Sequence, residues 1–330
     1  MIFNIDIKAP LFLLRAFVPI FTLIFFSASA FSAEKGEADG LDWWALSHQN
    51  ASQTVSKWSN GLDAFFSGES SSLPNQSFVS LEMGAVFTDT GNSSPFLGLH
   101  MGIRLPNTKD RLRLVIDSDA NELTENNKIQ ETTSSTFEKA AVGETFSAAI
   151  RYVKKEWNAN FDAGILVDFP LDPFVRVRFT QDHFYSSWSI RMRESIFSYY
   201  SQGFGASFNS ELTRPLTNNL VFGLSAGSTW LNREETYYYR ENIFINHSID
   251  ERNKIRYQFS VLQSGDPTPN LDTYLYFINY QKVLYGNWLI GQVTPQITHE
   301  LDNDFDPEFT LTLSLEILLG EDYLGSKSRY

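Results

Sequence analysis

Between residues 173 and 231 apolar and polar positions alternate almost without interruption. In Phe174-Val175-Arg176-Val177-Arg178-Phe179-Thr180 the residues Val175, Val177 and Phe179 interleave with Arg176, Arg178 and Thr180. That period of two is the signature of a β-strand with one apolar and one polar face. After Tyr185-Ser186-Ser187 it resumes, with Trp188, Ile190 and Met192 set against Ser189, Arg191 and Arg193. After Ser201-Gln202-Gly203 it resumes again through Phe204, Ala206, Phe208 and Leu212. A soluble sandwich would bury the apolar face against a second sheet. An outer-membrane barrel would turn it to lipid and keep the polar face for its lumen.

Extended along the chain, the pattern predicts strands over 77–88, 95–105, 110–119, 144–155, 159–169, 173–184 and 187–200, then 203–214, 219–231, 236–249, 254–265, 271–284, 287–301 and 307–320. Tilted strands of about nine to eleven residues cross the hydrocarbon of a membrane, and bacterial single-chain barrels have an even number of them. About fourteen strands in an antiparallel up-and-down transmembrane barrel is therefore the expected all-β fold. Twelve is the alternative if the fifth and sixth segments form one strand bent around Pro170 and Pro173. With both ends periplasmic, Trp157, Tyr185, Trp188, Tyr285 and Trp288 fall at the periplasmic rim. Tyr199, Tyr200, Trp230, Tyr237, Tyr239 and Tyr274 then fall at the outer one, two aromatic girdles at the headgroup levels.

Ahead of the strands the period changes. Trp44, Ala51, Val55, Trp58, Leu62 and Phe65 recur at helical spacing with Ser, Gln, Asn and Lys57 opposite, which predicts an amphipathic helix over Leu41 to Phe66, with a possible break at Asn60-Gly61. A lumenal plug, a helix against the periplasmic leaflet and a cap on the barrel's bottom all fit this pattern. The scarcity of acid on its polar face, with Asp63 alone late in the segment, favours a periplasmic position over a plug among lumen arginines. The linker 67–76 is polar.

Composition adds the route. Lys8 and Arg15, the apolar run Ala16 to Phe26 and the small residues Ser27-Ala28-Ser29-Ala30 read as a secretory signal peptide. Cleavage is expected between 30 and 33. The expected organisation is a signal peptide over 1–33, a periplasmic helix and linker over 34–76, the barrel over 77–320 and a tail over 321–330. The formal charge is −13 and there are no cysteines, which excludes a basic nucleic-acid footprint, a disulfide framework and a thiolate metal site. No metal or nucleotide signature appears, and no cofactor is expected.

If the apolar positions face lipid, the opposite faces line the lumen. The lumen-lining candidates are Glu82, His100, Arg111, Arg113, Asp162, Asp168, Arg176, Arg178, Arg191 and Arg193. Arg104, Asp117, Asp119, Arg151, Glu211, Arg240, Arg256 and Glu316 belong to the same set. His100 falls about opposite Glu82 on the adjacent strand. Arginines on neighbouring strands favour anion passage in pores. Charges inside a barrel need water or an opposite charge, so the competing reading is a salt-bridged wall in which Asp162 and Asp168 neutralise these arginines.

The stretches Leu62-Asp63-Ala64-Phe65-Phe66, Arg104-Leu105-Pro106-Asn107-Thr108-Lys109, Gly203-Phe204-Gly205 with Arg214-Pro215-Leu216, and Leu315-Glu316-Ile317-Leu318-Leu319-Gly320 resemble a set of outer-membrane β-barrel proteins of Gram-negative bacteria. The similarity runs from about Trp43 to Gly320. It implies an outer-membrane barrel and carries no substrate with it. The expectation is a porin-like passive channel for small solutes or ions, in contact with outer-membrane lipids and, during biogenesis, with the barrel-assembly machinery. A closed structural or interaction barrel is the alternative, and an outer-membrane lipid hydrolase a third. Of the five histidines, only Asn246-His247-Ser248 puts the residue types of a hydrolase together, and neighbouring strand residues point to opposite faces.

Overall fold

The computed structural model describes residues 39–67, 76–108, 111–117, 146–167, 171–201, 203–266 and 268–323. The expected signal peptide, most of the expected tail, and the candidate residues Asp119 and Asp168 lie outside them. Among the described residues one helix, α1 (Asp39–Ser67), precedes the strands and runs unbroken past Asn60-Gly61. The strands β1 (Phe78–Thr88), β2 (Ser93–Leu105), β3 (Leu112–Asp117), β4 (Phe146–Lys154), β5 (Ala159–Val167), β6 (Asp172–Tyr185) and β7 (Trp188–Tyr199) form the first half of the sheet. The second half comprises β8 (Gly203–Pro215), β9 (Leu220–Leu231), β10 (Thr236–Ser248), β11 (Asn253–Gly265), β12 (Asn270–Tyr285), β13 (Leu289–Glu300) and β14 (Pro307–Gly320).

Each strand pairs antiparallel with its sequence neighbours, and β14 pairs with β1, so that the sheet closes on itself. Fourteen strands are thus present among the described residues, with β5 and β6 separate. Closure removes the free edges that an open sheet would expose. The connections at the end that carries both α1 and the close of β14 are tight. Ser186 sits at φ +55° in the two-residue link between β6 and β7, and Gly286 at φ +55° in the three-residue link between β12 and β13. Between β10 and β11 the carboxylate of Asp250 accepts the amides of Arg252 at 2.7 Å and Asn253 at 2.8 Å. The Arg252 amide and the Asn253 side chain together hold that carboxyl below its usual range.

The alternation of the sequence becomes an inside and an outside. Leu97, Ile150, Val175, Ile196, Phe208, Ile243, Phe259, Ile278 and Leu313 stand on the outer wall and are exposed. The positions between them point inward. A continuous outward apolar band on a closed antiparallel barrel is the surface of a membrane-spanning barrel, and it places the protein in the outer membrane of a Gram-negative cell. No described helix is long and apolar enough to cross a membrane; the strands do the crossing.

The helix docks through its small and polar side chains. A seam of small and polar residues, His48, Ser52, Ser56, Ser59 and Asp63 together with Val55, is buried against the barrel, while Trp44 and Trp58 stay about half exposed. Val55 packs with Val79 and Leu319, which leave the wall on its outer side. The helix therefore runs along the outer flank of the rim rather than into the lumen. It crosses the ends of β14, β1 and β2 in turn. His48 donates Nε2–H to the Leu318 carbonyl at 2.7 Å and stacks on Trp288 at 4.1 Å, and Ser52 Oγ accepts the Gly320 amide at 3.2 Å. Further along, the Arg104 amide donates to Ser77 Oγ at 2.9 Å, the Ser77 and Ser59 hydroxyls meet at 2.7 Å, and Ser59 donates back to the Arg104 carbonyl. Asp63 then accepts the Asn107 amide through both oxygens at 3.1 Å. These bonds satisfy polar groups that burial would otherwise leave without partners.

Two members of the expected girdles are covered rather than exposed. Tyr199 points inward and is 1% exposed, packed on Phe174 and Phe197. Trp288 is buried beneath His48. Tyr185, Tyr200 and Trp157 remain exposed at the ends of the wall.

Candidate functional site in the barrel lumen

The inward positions follow from the strand registers. On β6 and β7 the inward pairs are Phe174 with Tyr199, Arg176 with Phe197, Arg178 with Ser195, Thr180 with Arg193 and Asp182 with Arg191. On the other side of β6, Asp162 faces Arg176 and Asn160 faces Arg178. Arg151 faces Asp162, and Arg113 faces both Arg151 and Arg104. Five adjacent strands therefore present Arg104, Arg113, Arg151, Asp162 and Arg176 in one lateral row.

Within that row Asp162 is the hub. Its Oδ1 accepts Arg151 Nε at 2.8 Å and its Oδ2 accepts Arg176 Nη2 at 2.6 Å, with Arg176 Nε at 3.2 Å and Arg151 Nη2 at 3.1 Å. The side chains of Asp162 and Arg176 have no exposed surface. One carboxylate thus ties β4, β5 and β6 together at the lumen wall in one salt-bridged arrangement. Its members are Arg151 and Arg176; Arg191 takes another partner. That arginine donates Nε–H to Asp182 at 2.8 Å within its own hairpin, and both side chains are about half in water. Arg193 is exposed, Arg178 is buried, Arg111 is exposed and Arg113 is half-buried.

The far side of the lumen differs. From β9 to β14 the inward residues are mostly amides and hydroxyls, bonded along the wall. Asn242 donates to Ser225 at 2.8 Å, Gln258 to Ser260 at 2.9 Å, Asn279 to Thr294 at 2.7 Å and Gln296 to Thr298 at 3.0 Å. Arg256 lies over the Phe244 ring at 4.1 Å and donates to Gln258 at 2.8 Å. At the seam Glu82 and Glu316 are register partners. Each is held by a serine of the other's strand: Ser314 donates to Glu82 at 2.6 Å and Ser80 to Glu316 at 2.7 Å.

His100 does not face Glu82. Its register partner is Ser80, while Glu82 faces Gly98, and the His100 ring lies 5.2 Å from that of Phe78. The shift arises in the connection. The turn after Thr88 is closed by the Asn92 carbonyl accepting the Thr88 amide at 3.0 Å, so β2 begins at Ser93 instead of Pro95. His247 and Ser248 leave opposite faces of β10, as their alternation dictates.

One group of inward residues was not singled out by sequence. Val115, Ala149, Leu166, Phe174, Phe197, Tyr199 and Leu231, with Tyr238 against them, form an apolar cluster on the lumen side of β3 to β10. It lies toward the end of the barrel away from α1. Its sequence signal was the lapse of alternation into apolar residues on the inward face, at Phe174 and Phe197.

No protein-family model and no curated protein matches this sequence. Among solved structures, a loop-deletion form of the outer-membrane protein OmpT of Vibrio cholerae is similar at 6% identity and a TM-score of 0.46 over 74% of this chain and 98% of that one. The outer-membrane channel DcaP of Acinetobacter baumannii is similar at 8% identity and 0.43, over 74% of this chain and 97% of that one. The KdgM porin is similar at 10% identity and 0.35, over 72% and 98%. Likeness of this degree assigns no function to this chain.

Proposed function

We propose that the protein is a constricted, porin-like outer-membrane channel that passes small polar solutes or ions without chemistry. The observation that carries this reading is the inward wall: arginines on one side and an amide and hydroxyl lattice on the other, facing a lumen that α1 leaves unobstructed. Fourteen strands enclose room for water as well as side chains. A wall so polar is stable where water wets it, since desolvating its charges would cost several kcal/mol each. Arg176, Asp162 and Arg178 are buried in the wall at β5 and β6, which supports a path lined there by packed rather than freely moving charges. Arg193 and Arg191, toward the α1 end, supply accessible positive charge.

The apolar cluster of Phe174, Phe197, Tyr199 and Leu231 favours a second reading, a closed structural barrel. An apolar constriction in a pore can stop conduction by dewetting. Single-channel recording of the refolded protein in planar bilayers separates the two, after a heat-dependent band shift in detergent gels has established folding. Discrete conductance steps support the channel. A folded barrel that never conducts defeats it and leaves the closed barrel standing.

A further inference from the structure

The helix has three sides, one against the barrel and two exposed flanks of different chemistry. Each residue of an α-helix advances about 100° around the axis. With His48, Ser52, Val55, Ser59 and Asp63 against the barrel, Trp44, Ala51, Trp58 and Leu62 fall on one flank and Gln49, Gln53 and Asn60 on the other.

Contacts at the two edges of the seam fix which flank is which. Val55, on the edge beside Ala51, reaches Val79 and Leu319 on the outer wall. Asp63, on the opposite edge, reaches the Asn107 amide in the turn beyond the end of β2. The tryptophan flank therefore looks along the wall toward the apolar belt, and the glutamine flank looks away from it. Trp58, on that flank, is 50% exposed, while Leu81, Leu99 and Met101 pack against the cluster of Val55, Val79 and Leu319.

We propose that α1 is a leaflet anchor: its tryptophan flank lies in phospholipid at the headgroup and upper acyl level of the inner leaflet, and its glutamine flank lies in water. Three features support lipid over a protein partner as the occupant. The flank is continuous with a belt that is itself solvated by lipid. Tryptophan is the side chain that best suits the interface between hydrocarbon and headgroups. The helix also sets a tryptophan-bearing apolar flank against a polar one at low overall hydrophobicity, as helices that lie in this plane do. The anchor acts at the place where the barrel closes. It holds the ends of β14, β1 and β2 to one rigid element, and this assignment stands whether or not the lumen conducts.

The chain has no cysteine, so single labels are possible in the full-length protein. Nitroxide-labelled Trp58→Cys and Gln53→Cys variants, refolded into phosphatidylcholine vesicles and checked by heat-dependent gel mobility, would be relaxed by oxygen and by a water-soluble nickel chelate. The expected result is opposite preference: oxygen reaches position 58 and the chelate reaches 53. Equal access of the chelate to both sites overturns the proposal, and so does shielding of position 58 from both agents, which would mark a protein partner. Trp58→Phe preserves the ring if the cysteine fails to fold. Vesicles with acyl chains brominated near the headgroup should then quench this variant less than the parent protein, and equal quenching counts against lipid contact.

Discussion

Asp162 and Arg176 meet at 2.6 Å with no exposed surface on either side chain, while the same carboxylate takes Arg151 at 2.8 Å. One aspartate thus holds two arginines, and removing it takes the carboxylate away from both. Asp162→Asn should destabilise the barrel by about 3–5 kcal/mol, the usual cost of breaking a buried ion pair from one side. The double variant Asp162→Asn with Arg176→Met should recover part of that loss, because it also removes one of the two guanidiniums that the carboxylate held. Urea unfolding in lipid vesicles reads both. Equal midpoints for Asp162→Asn and the parent would remove the bridge from any structural role.

The exposed arginines should behave in the opposite way. Arg193 has water around it, and Arg191 shares Asp182 in an exposed pair of the kind worth at most about 1 kcal/mol. Arg193→Glu should leave stability within about 0.5 kcal/mol of the parent. It should nevertheless move the reversal potential in a salt gradient toward cation selectivity. Arg178→Glu, in a buried position, should lower stability as well. If Arg193→Glu conducts with unchanged selectivity, this side of the lumen does not see the permeating ion.

A glycine controls the ring under Arg256. A Cβ built at Gly223 would come within 2.1 Å of the Phe244 ring, and that ring carries the Arg256 guanidinium at 4.1 Å. Gly223→Ala therefore has to displace both side chains at once. A loss of about 1–3 kcal/mol is expected, typical of overpacking. Adding Phe244→Leu should relieve it. A fully stable Gly223→Ala would show that the ring moves freely and does not hold Arg256.

The strand count and the two faces were legible in the sequence because period two carries both. Heights along the barrel were not. Arg176, Arg178, Arg191 and Arg193 share the inward face of one hairpin, yet pairing sets Arg176 beside Phe197 and Arg193 beside Thr180, so the four do not form a ring. Register depends on turn length, which composition leaves open, and the connection between β1 and β2 moved His100 from Glu82 to Ser80 for that reason. The helix was legible as an element, but the side it docks was not. In a soluble protein its apolar stripe would be the buried side. Around a membrane barrel lipid competes for that stripe, and the contact goes to Ser52, Ser59 and Asp63, whose small or polar side chains match exposed rim amides and carbonyls. Their recurrence at spacings of seven and four was visible, and only the membrane gives it meaning.

Acid should loosen this contact. Burial pushes the His48 imidazole below its ordinary value, and the hydrogen bond to the Leu318 carbonyl opposes that shift only in part. A base with a lowered pKa in the docked state binds fewer protons there than when undocked, so the linkage favours undocking as protons are added. Docking is complete above the free imidazole value of about 6.5 and weakens as pH falls from there through the lowered value. Trp288, stacked on the ring at 4.1 Å, reports the change, and separation of the rings should alter its emission. Comparing the parent with Trp288→Phe isolates that signal among the seven tryptophans. His48→Gln preserves a donor toward Leu318 without a titrating group, and its docking should not respond to pH over this range. The same acid transition in His48→Gln would assign it to another group and leave His48 a structural contact alone.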